Sequence, residues 1–126
     1  MNTKIGINGF GRIGRLAFRA ALTHSEVEVV GLNDPFMTPD YMAYMLRYDT
    51  THGKFEGEIS YDEHTLIVNG RKIPVFTAMD PKDIPWGDVG AEYIMECTGQ
   101  HLTKEKCQGH IDAGAKHVAM GAPSKD

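Results

Sequence analysis

Cysteine is scarce. Cys97 and Cys107 could form one bridge at most, and a chain able to build a real core does not depend on a cross-link, so reduced thiols are expected. Long apolar runs are missing too: nothing approaches the roughly 20 apolar residues of a membrane span, and Met1-Asn2-Thr3-Lys4 has no apolar signal core. A cytoplasmic protein without a membrane partner is the expectation. Positive charge is not in excess either. Thirteen Lys and Arg against seventeen Asp and Glu give a formal net charge of −4, which argues against nucleic acid as a partner. Repeats, linkers and low-complexity tracts are absent. What is there is ordinary globular composition, 41% hydrophobic and 24% charged over 126 residues, the size of a single domain spanning residues 1–126.

The order of elements is legible from periodicity. Lys4 to Asn8 is a short β-favouring run that leads straight into Gly9-Phe10-Gly11-Arg12-Ile13-Gly14. A helix follows, with Ile13, Leu16, Ala17, Ala20 and Ala21 as its apolar stripe and Arg15 and Arg19 on the other face. Val27 to Leu32 reads as a strand buried on both sides. Thr38-Pro39 opens a second helix, its hydroxyl a cap and its proline in the first turn, with Tyr41, Met45 and Tyr48 at helical spacing. Asn69-Gly70, flanked by Leu66, Val68, Ile73 and Val75, predicts a hairpin as a small antiparallel excursion, and Pro74 predicts an edge strand. Ala91 to Thr98 is a further strand, Thr103 opens a helix closed by Gly114, and His117 to Met120 is the last strand. The alternation predicts an α/β fold of Rossmann type: doubly wound, with a mostly parallel sheet.

Gly-x-Gly-x-x-Gly alone is weak in a chain with fourteen glycines. Here the glycines sit between a predicted strand and a predicted helix, and Asp34 stands at the end of the second strand, twenty residues beyond Gly14. Gly9 permits the tight turn, Gly11 lets the backbone approach a pyrophosphate, and Gly14 allows helix and strand to pack closely. Helix-start amides near Arg12 and Ile13 would donate to the phosphates. Asp34 would accept from the adenosine ribose and repel a 2′-phosphate, which favours NAD over NADP. An S-adenosylmethionine-binding fold shares a glycine loop and a ribose carboxylate, and is the rival on these residues alone.

Six segments in order, Asn8-Gly9-Phe10-Gly11-Arg12-Ile13-Gly14-Arg15, Asn33-Asp34-Pro35, Tyr48-Asp49-Thr50-Thr51-His52-Gly53, Pro85-Trp86, Glu96-Cys97-Thr98-Gly99 and Ala122-Pro123-Ser124-Lys125-Asp126, resemble the amino-terminal half of phosphorylating glyceraldehyde-3-phosphate dehydrogenases. The resemblance implies NAD as cofactor, with Gly9, Phe10, Gly11, Arg12, Ile13, Asp34, Pro35, Met79, Thr98, Gly99 and Gly121 around it. It also implies a homotetramer in which a cysteine thiolate attacks the aldehyde, hydride passes to the nicotinamide, and phosphate cleaves the thioester to an acyl phosphate. That nucleophile belongs to a Ser-Cys-Thr-Thr-Asn segment, which does not occur here. The expectation is a cofactor-binding domain without its catalytic domain and with no catalytic residue of its own. Other dehydrogenase subunits or a complementary catalytic half would be its partners, and a truncated regulatory paralogue is the alternative.

Three positions depart from the family's pattern: Met79 in place of an arginine, His101 in place of a phenylalanine, and Gly121 in place of a serine or threonine. Losing such contacts, at about 0.5–1.5 kcal/mol each, predicts NAD binding weakened by one or two orders of magnitude. Cys97, His101, Cys107 and His110 are zinc-ligand types, but their spacing matches no known finger, and no metal site is expected. Cys97 and Cys107 both read as small core residues, the latter paired with Ile111 on its helix.

Overall fold

The computed structural model describes residues 3–22, 24, 26–48, 58–79, 83–97 and 104–120, with backbone alone at Arg12, 104–107 and 119–120. Seven strands form one sheet: β1 (Thr3–Asn8), β2 (Val27–Asn33), β3 (Ile59–Tyr61), β4 (Thr65–Val68), β5 (Arg71–Phe76), β6 (Tyr93–Glu96) and β7 (His117–Met120). Among the described residues four helices accompany them: α1 (Arg12–Leu22), α2 (Pro39–Arg47), α3 (Trp86–Val89) and α4 (Lys104–Asp112). The spatial order is β3-β4-β5-β2-β1-β6-β7. From β5 to β7 every pairing is parallel, while β3, β4 and β5 pair antiparallel. This is the Rossmann-type arrangement expected. The chain leaves β1 in one direction to build β2 and β5, then returns to add β6 and β7 on the other side.

The hairpin forms where Asn69-Gly70 places it, both residues at positive φ (53° and 83°), the twist a two-residue turn requires. Its strands are the antiparallel excursion expected, and they remain joined to the main sheet. β5 continues from the hairpin into the parallel sheet, Val75 and Phe76 pairing with Leu32 and Asn33, so Pro74 lies in an interior strand. The sheet tolerates it because the Val75 amide donates to the carbonyl of His64, the residue just before β4 (2.9 Å). Alternation then turns the Pro74 nitrogen toward β2, where pairing begins only at Val75.

Two apolar cores cover the sheet's two faces. One gathers Ile7, Phe10, Phe18, Leu32, Met42, Leu46, Leu66 and Ile73; the other gathers Ile84, Trp86, Ala91, Ile94 and Ala115. Alternate residues of a strand serve opposite cores, as Val29 and Val30 do. The stripe predicted for α1 is rotated. Gly14, Arg15, Phe18 and Ala21 are buried, whereas Leu16 and Ala20 are exposed. Phe18 must meet the Phe10 ring, an edge contact with centroids 5.7 Å apart, and Arg15 folds inward so that Nη1 donates to the Phe10 carbonyl (3.3 Å). Arg19 Nη2 donates to the Leu46 carbonyl at the end of α2 (3.0 Å), which ties the two helices together.

In α2, Pro39, Met42, Ala43 and Leu46 face the core, and the tyrosines read as its repeat stand outside. Thr38 precedes the helix without capping it. Its hydroxyl donates to Asp40 instead, which holds that carboxyl below the usual range. Trp86 on α3 fills the second core. An added Cβ at Gly6 would lie 2.3 Å from the indole, and one at Gly31 3.2 Å, so two strand glycines make the slot the ring occupies.

Candidate cofactor site

The last residues of the parallel strands stand level: Phe76, Asn33, Asn8, Glu96 and Met120 are successive register partners across the sheet. The chain turns out of this row at Gly9. Its φ of 97° admits glycine readily, its amide donates to the Asn33 carbonyl (2.7 Å), and the Asn8 carbonyl accepts from the Cys97 amide (2.8 Å). The glycine turn is thereby pinned to β2 on one side and β6 on the other.

The first bond inside α1 runs from the Arg15 amide to the Gly11 carbonyl (2.9 Å), so the amides of Arg12, Ile13 and Gly14 lie ahead of the intrahelical ladder. They face the cleft with the positive end of the helix dipole. A Cβ at Gly11 would meet no atom within 4 Å, so the turn is open at that residue. A Cβ at Gly14 would stand 1.9 Å from the Gly9 carbonyl oxygen, so only glycine lets α1 approach the turn this closely. The donor set and the open cradle fit a dinucleotide phosphate.

Asp34 follows β2 and is buried. Oδ2 accepts from the Phe10 amide (2.8 Å) and Oδ1 from the Phe36 amide (2.9 Å), so the carboxylate organises the glycine turn. Each oxygen keeps a second lone pair for a ribose hydroxyl. Phe10 contributes backbone here, since its ring lies in the first core. Pro35 is half-buried beside Asp34, and Met79 is exposed at the rim. Thr98, Gly99, His101 and Gly121, together with the Arg12 and Cys107 side chains, lie outside the described residues.

Beneath the cleft runs a buried polar chain that the sequence reading missed. Asn33 exchanges hydrogen bonds with the Ala78 backbone (3.1 and 2.9 Å) and donates to Asn8 Oδ1 (2.8 Å). Asn8 Nδ2 donates to Glu96 Oε2 (2.9 Å), and His110 Nε2 meets the same oxygen at 2.7 Å. Trp86 Nε1 closes the chain on His110 Nδ1 (2.9 Å). An indole nitrogen can only donate, so Nδ1 accepts, and Nε2 carries the ring proton toward Glu96. Both His110 nitrogens are therefore committed. The available signals were Asn8 at the end of the first predicted strand and Gly6 and Gly31 within two predicted strands.

Cys97 is buried, and its thiol is pushed up to about 11 by burial and, secondarily, by the Glu96 carboxylate. This is the reverse of an activated nucleophile. In a Cys107→Ser background, iodoacetamide at pH 8 should alkylate native Cys97 about 100-fold more slowly than an ordinary thiol, because the upward shift leaves that much less thiolate. Since the unfolded thiol ionises near 9.0 and the folded one near 11, the same shift should subtract stability as pH rises through that window. Alkylation as fast as in the urea-unfolded chain would contradict the burial.

A reversal of strand order between β1 and β6, a glycine turn at that point, and an acidic residue closing β2 together define a dinucleotide-binding domain of the Rossmann class. Residues 3–104 match the family described as glyceraldehyde 3-phosphate dehydrogenase, NAD binding domain. The chain is 56% identical to the glyceraldehyde-3-phosphate dehydrogenases of Claviceps purpurea and Aspergillus niger and 54% identical to that of Neurospora crassa, each over 126 residues. These alignments cover 100% of this chain and 37% or 38% of each relative, so the chain spans a little over a third of their length. It belongs to the glyceraldehyde-3-phosphate dehydrogenase family as an NAD-binding domain, and its cofactor is NAD.

Proposed function

We propose that NAD lies across the carboxyl ends of the strands, its pyrophosphate over Gly9, Phe10, Gly11, Arg12 and Ile13. Asp34 and Pro35 take the adenosine ribose, Met79 borders the adenine, and Thr98, Gly99 and Gly121 line the second half of the cofactor. The observation that carries this reading is the close approach of Gly14 to Gly9 beside open space at Gly11. Bound NAD would supply a hydride acceptor. The chain's own part is to bind it, orient it and, through the Asp34 charge, disfavour a 2′-phosphate.

The reaction it would serve is the oxidation of glyceraldehyde 3-phosphate with phosphate to the acyl phosphate, in the cytoplasm and together with a catalytic portion. These 126 residues alone are proposed to bind NAD without turnover, since the buried, protonated Cys97 offers no nucleophile. Calorimetric titration tests binding. Heat saturating with NAD and not with NADP is expected, and no heat at millimolar NAD would refute the assignment. Asp34→Ala should cost about 1.5–3 kcal/mol of NAD affinity, the worth of hydrogen bonds to a charged group, with Asp34→Asn intermediate. Unchanged affinity would place the ribose elsewhere. Robust turnover by the pure chain with glyceraldehyde 3-phosphate, NAD and phosphate would overturn the division of labour.

One surface favours a second role, association with full-length dehydrogenase subunits. Tyr41, Tyr44 and Tyr48 on and just after α2, with Tyr61 on β3, are each about half exposed, and Tyr44 and Tyr48 lean together at 5.1 Å. Aromatic rings on a surface are typical of interface cores. Co-elution with a full-length homologue on size exclusion is expected, and separate elution would count against it.

A further inference from the structure

The Glu96 carboxylate is buried at the carboxyl end of β6, on the side of the strand reversal away from Asp34. In a domain wound this way the two halves of the sheet take the two halves of a dinucleotide. With the adenosine ribose assigned to Asp34 on the β2 side, the nicotinamide nucleoside falls over β6 and β7. Oxidised and reduced cofactors differ there by one positive charge, carried by the pyridinium ring and absent from the dihydropyridine.

Hydrogen-bond donors converge on the Glu96 carboxylate. Asn8 Nδ2 and His110 Nε2 both direct N–H groups at Oε2 (2.9 and 2.7 Å), and the Trp86 bond to Nδ1 fixes the imidazole in the tautomer that donates. Donors aimed at the charged form favour it. Its field reaches the next residue toward the cleft, where it helps hold the Cys97 thiol protonated. The charge is also shielded from water, with Glu96 5% and His110 0% exposed, so its influence is screened less than that of a surface carboxylate.

We propose that Glu96, fixed by Asn8 and His110, is a specificity-determining residue for the redox state of the cofactor, favouring oxidised NAD over NADH through the charge on the pyridinium ring. This rests on the proposed placement of NAD. A partly screened unit charge is expected to change relative affinity about fourfold.

The test measures dissociation constants of NAD and NADH for the whole chain, for Glu96→Gln and for Glu96→Asp. Gln keeps an oxygen to accept both N–H groups and removes the charge; Asp keeps the charge on a shorter arm. The wild type should bind NAD more tightly than NADH. Glu96→Gln should shrink that preference about fourfold, and Glu96→Asp should preserve it even if both affinities fall. A role limited to holding the strands in place would weaken both nucleotides equally and leave the ratio unchanged, and that result overturns the proposal. Should Glu96→Gln fail to fold, the other two proteins still decide: NADH bound as tightly as NAD by the wild type, or a preference lost in Glu96→Asp, refutes it. If the wild type binds neither nucleotide, the cofactor placement itself fails and the inference falls with it. A retained NAD affinity with an unchanged ratio sinks the inference alone.

Discussion

Gly14→Ala should unfold or nearly unfold the domain, although alanine is the better helix former by about 1 kcal/mol. The added methyl would stand 1.9 Å from the Gly9 oxygen and 2.9 Å from the Gly9 carbonyl carbon. Both are backbone atoms in a turn already tied to β2 through the Gly9 amide, so no side-chain rotation relieves the overlap. Either α1 must move away from β1, opening the packing around Phe18, or the turn must move and take Phe10 from Asp34. Overpacking of this kind costs about 3 kcal/mol or more against total stabilities of about 5–15 kcal/mol. Urea denaturation should show the loss, and calorimetry should show NAD binding gone wherever a folded fraction persists. Equal or greater stability in the variant would mean that the helix does not approach the turn this closely.

His110→Leu should be nearly as damaging, for a reason of polarity rather than space. The substitution strands the Trp86 N–H and withdraws a donor from Glu96, both in surroundings closed to water. Leaving a buried neutral donor unpaired costs about 1–3 kcal/mol and disturbing a buried charge more, so a total of about 3–5 kcal/mol is expected. The sharper measurement is a double-mutant cycle. Trp86→Phe with His110→Leu removes donor and acceptor together, and the pair should cost less than the two single changes added. Strict additivity in urea melts would show that the indole and the imidazole are not bonded.

The two variants probe features that were unequally visible in the sequence. The glycine turn, Asp34 and the Asn69-Gly70 hairpin follow local rules, in which residue type and spacing determine conformation, and each stands where those rules place it. Interior elements obey different constraints. Apolarity places Leu16 inward and charge places Arg15 outward, yet Phe18 anchors α1 on Phe10, and the rotation this imposes buries Arg15 against the turn. Pro74 marks an edge by local rules because the sequence does not show that β5 meets β2 only beyond it. The Asn33–Asn8–Glu96–His110–Trp86 chain was hidden for a related reason. Each member looks like an ordinary polar or aromatic residue, and its meaning comes from register across strands far apart in sequence.

That separation sets a schedule for synthesis. Asn8 leaves the ribosome 88 residues ahead of Glu96, its partner across the β1–β6 seam. At about 5–20 residues per second, β1 waits several seconds for one of its two neighbours. Through that interval the nascent sheet can grow only toward β2 and the hairpin, with the flank of β1 that will receive β6 a free edge able to pair with other chains. The β1–β6 seam is therefore sealed well after the β2 side of the sheet can form, and it is where a stalled or crowded nascent chain would go astray.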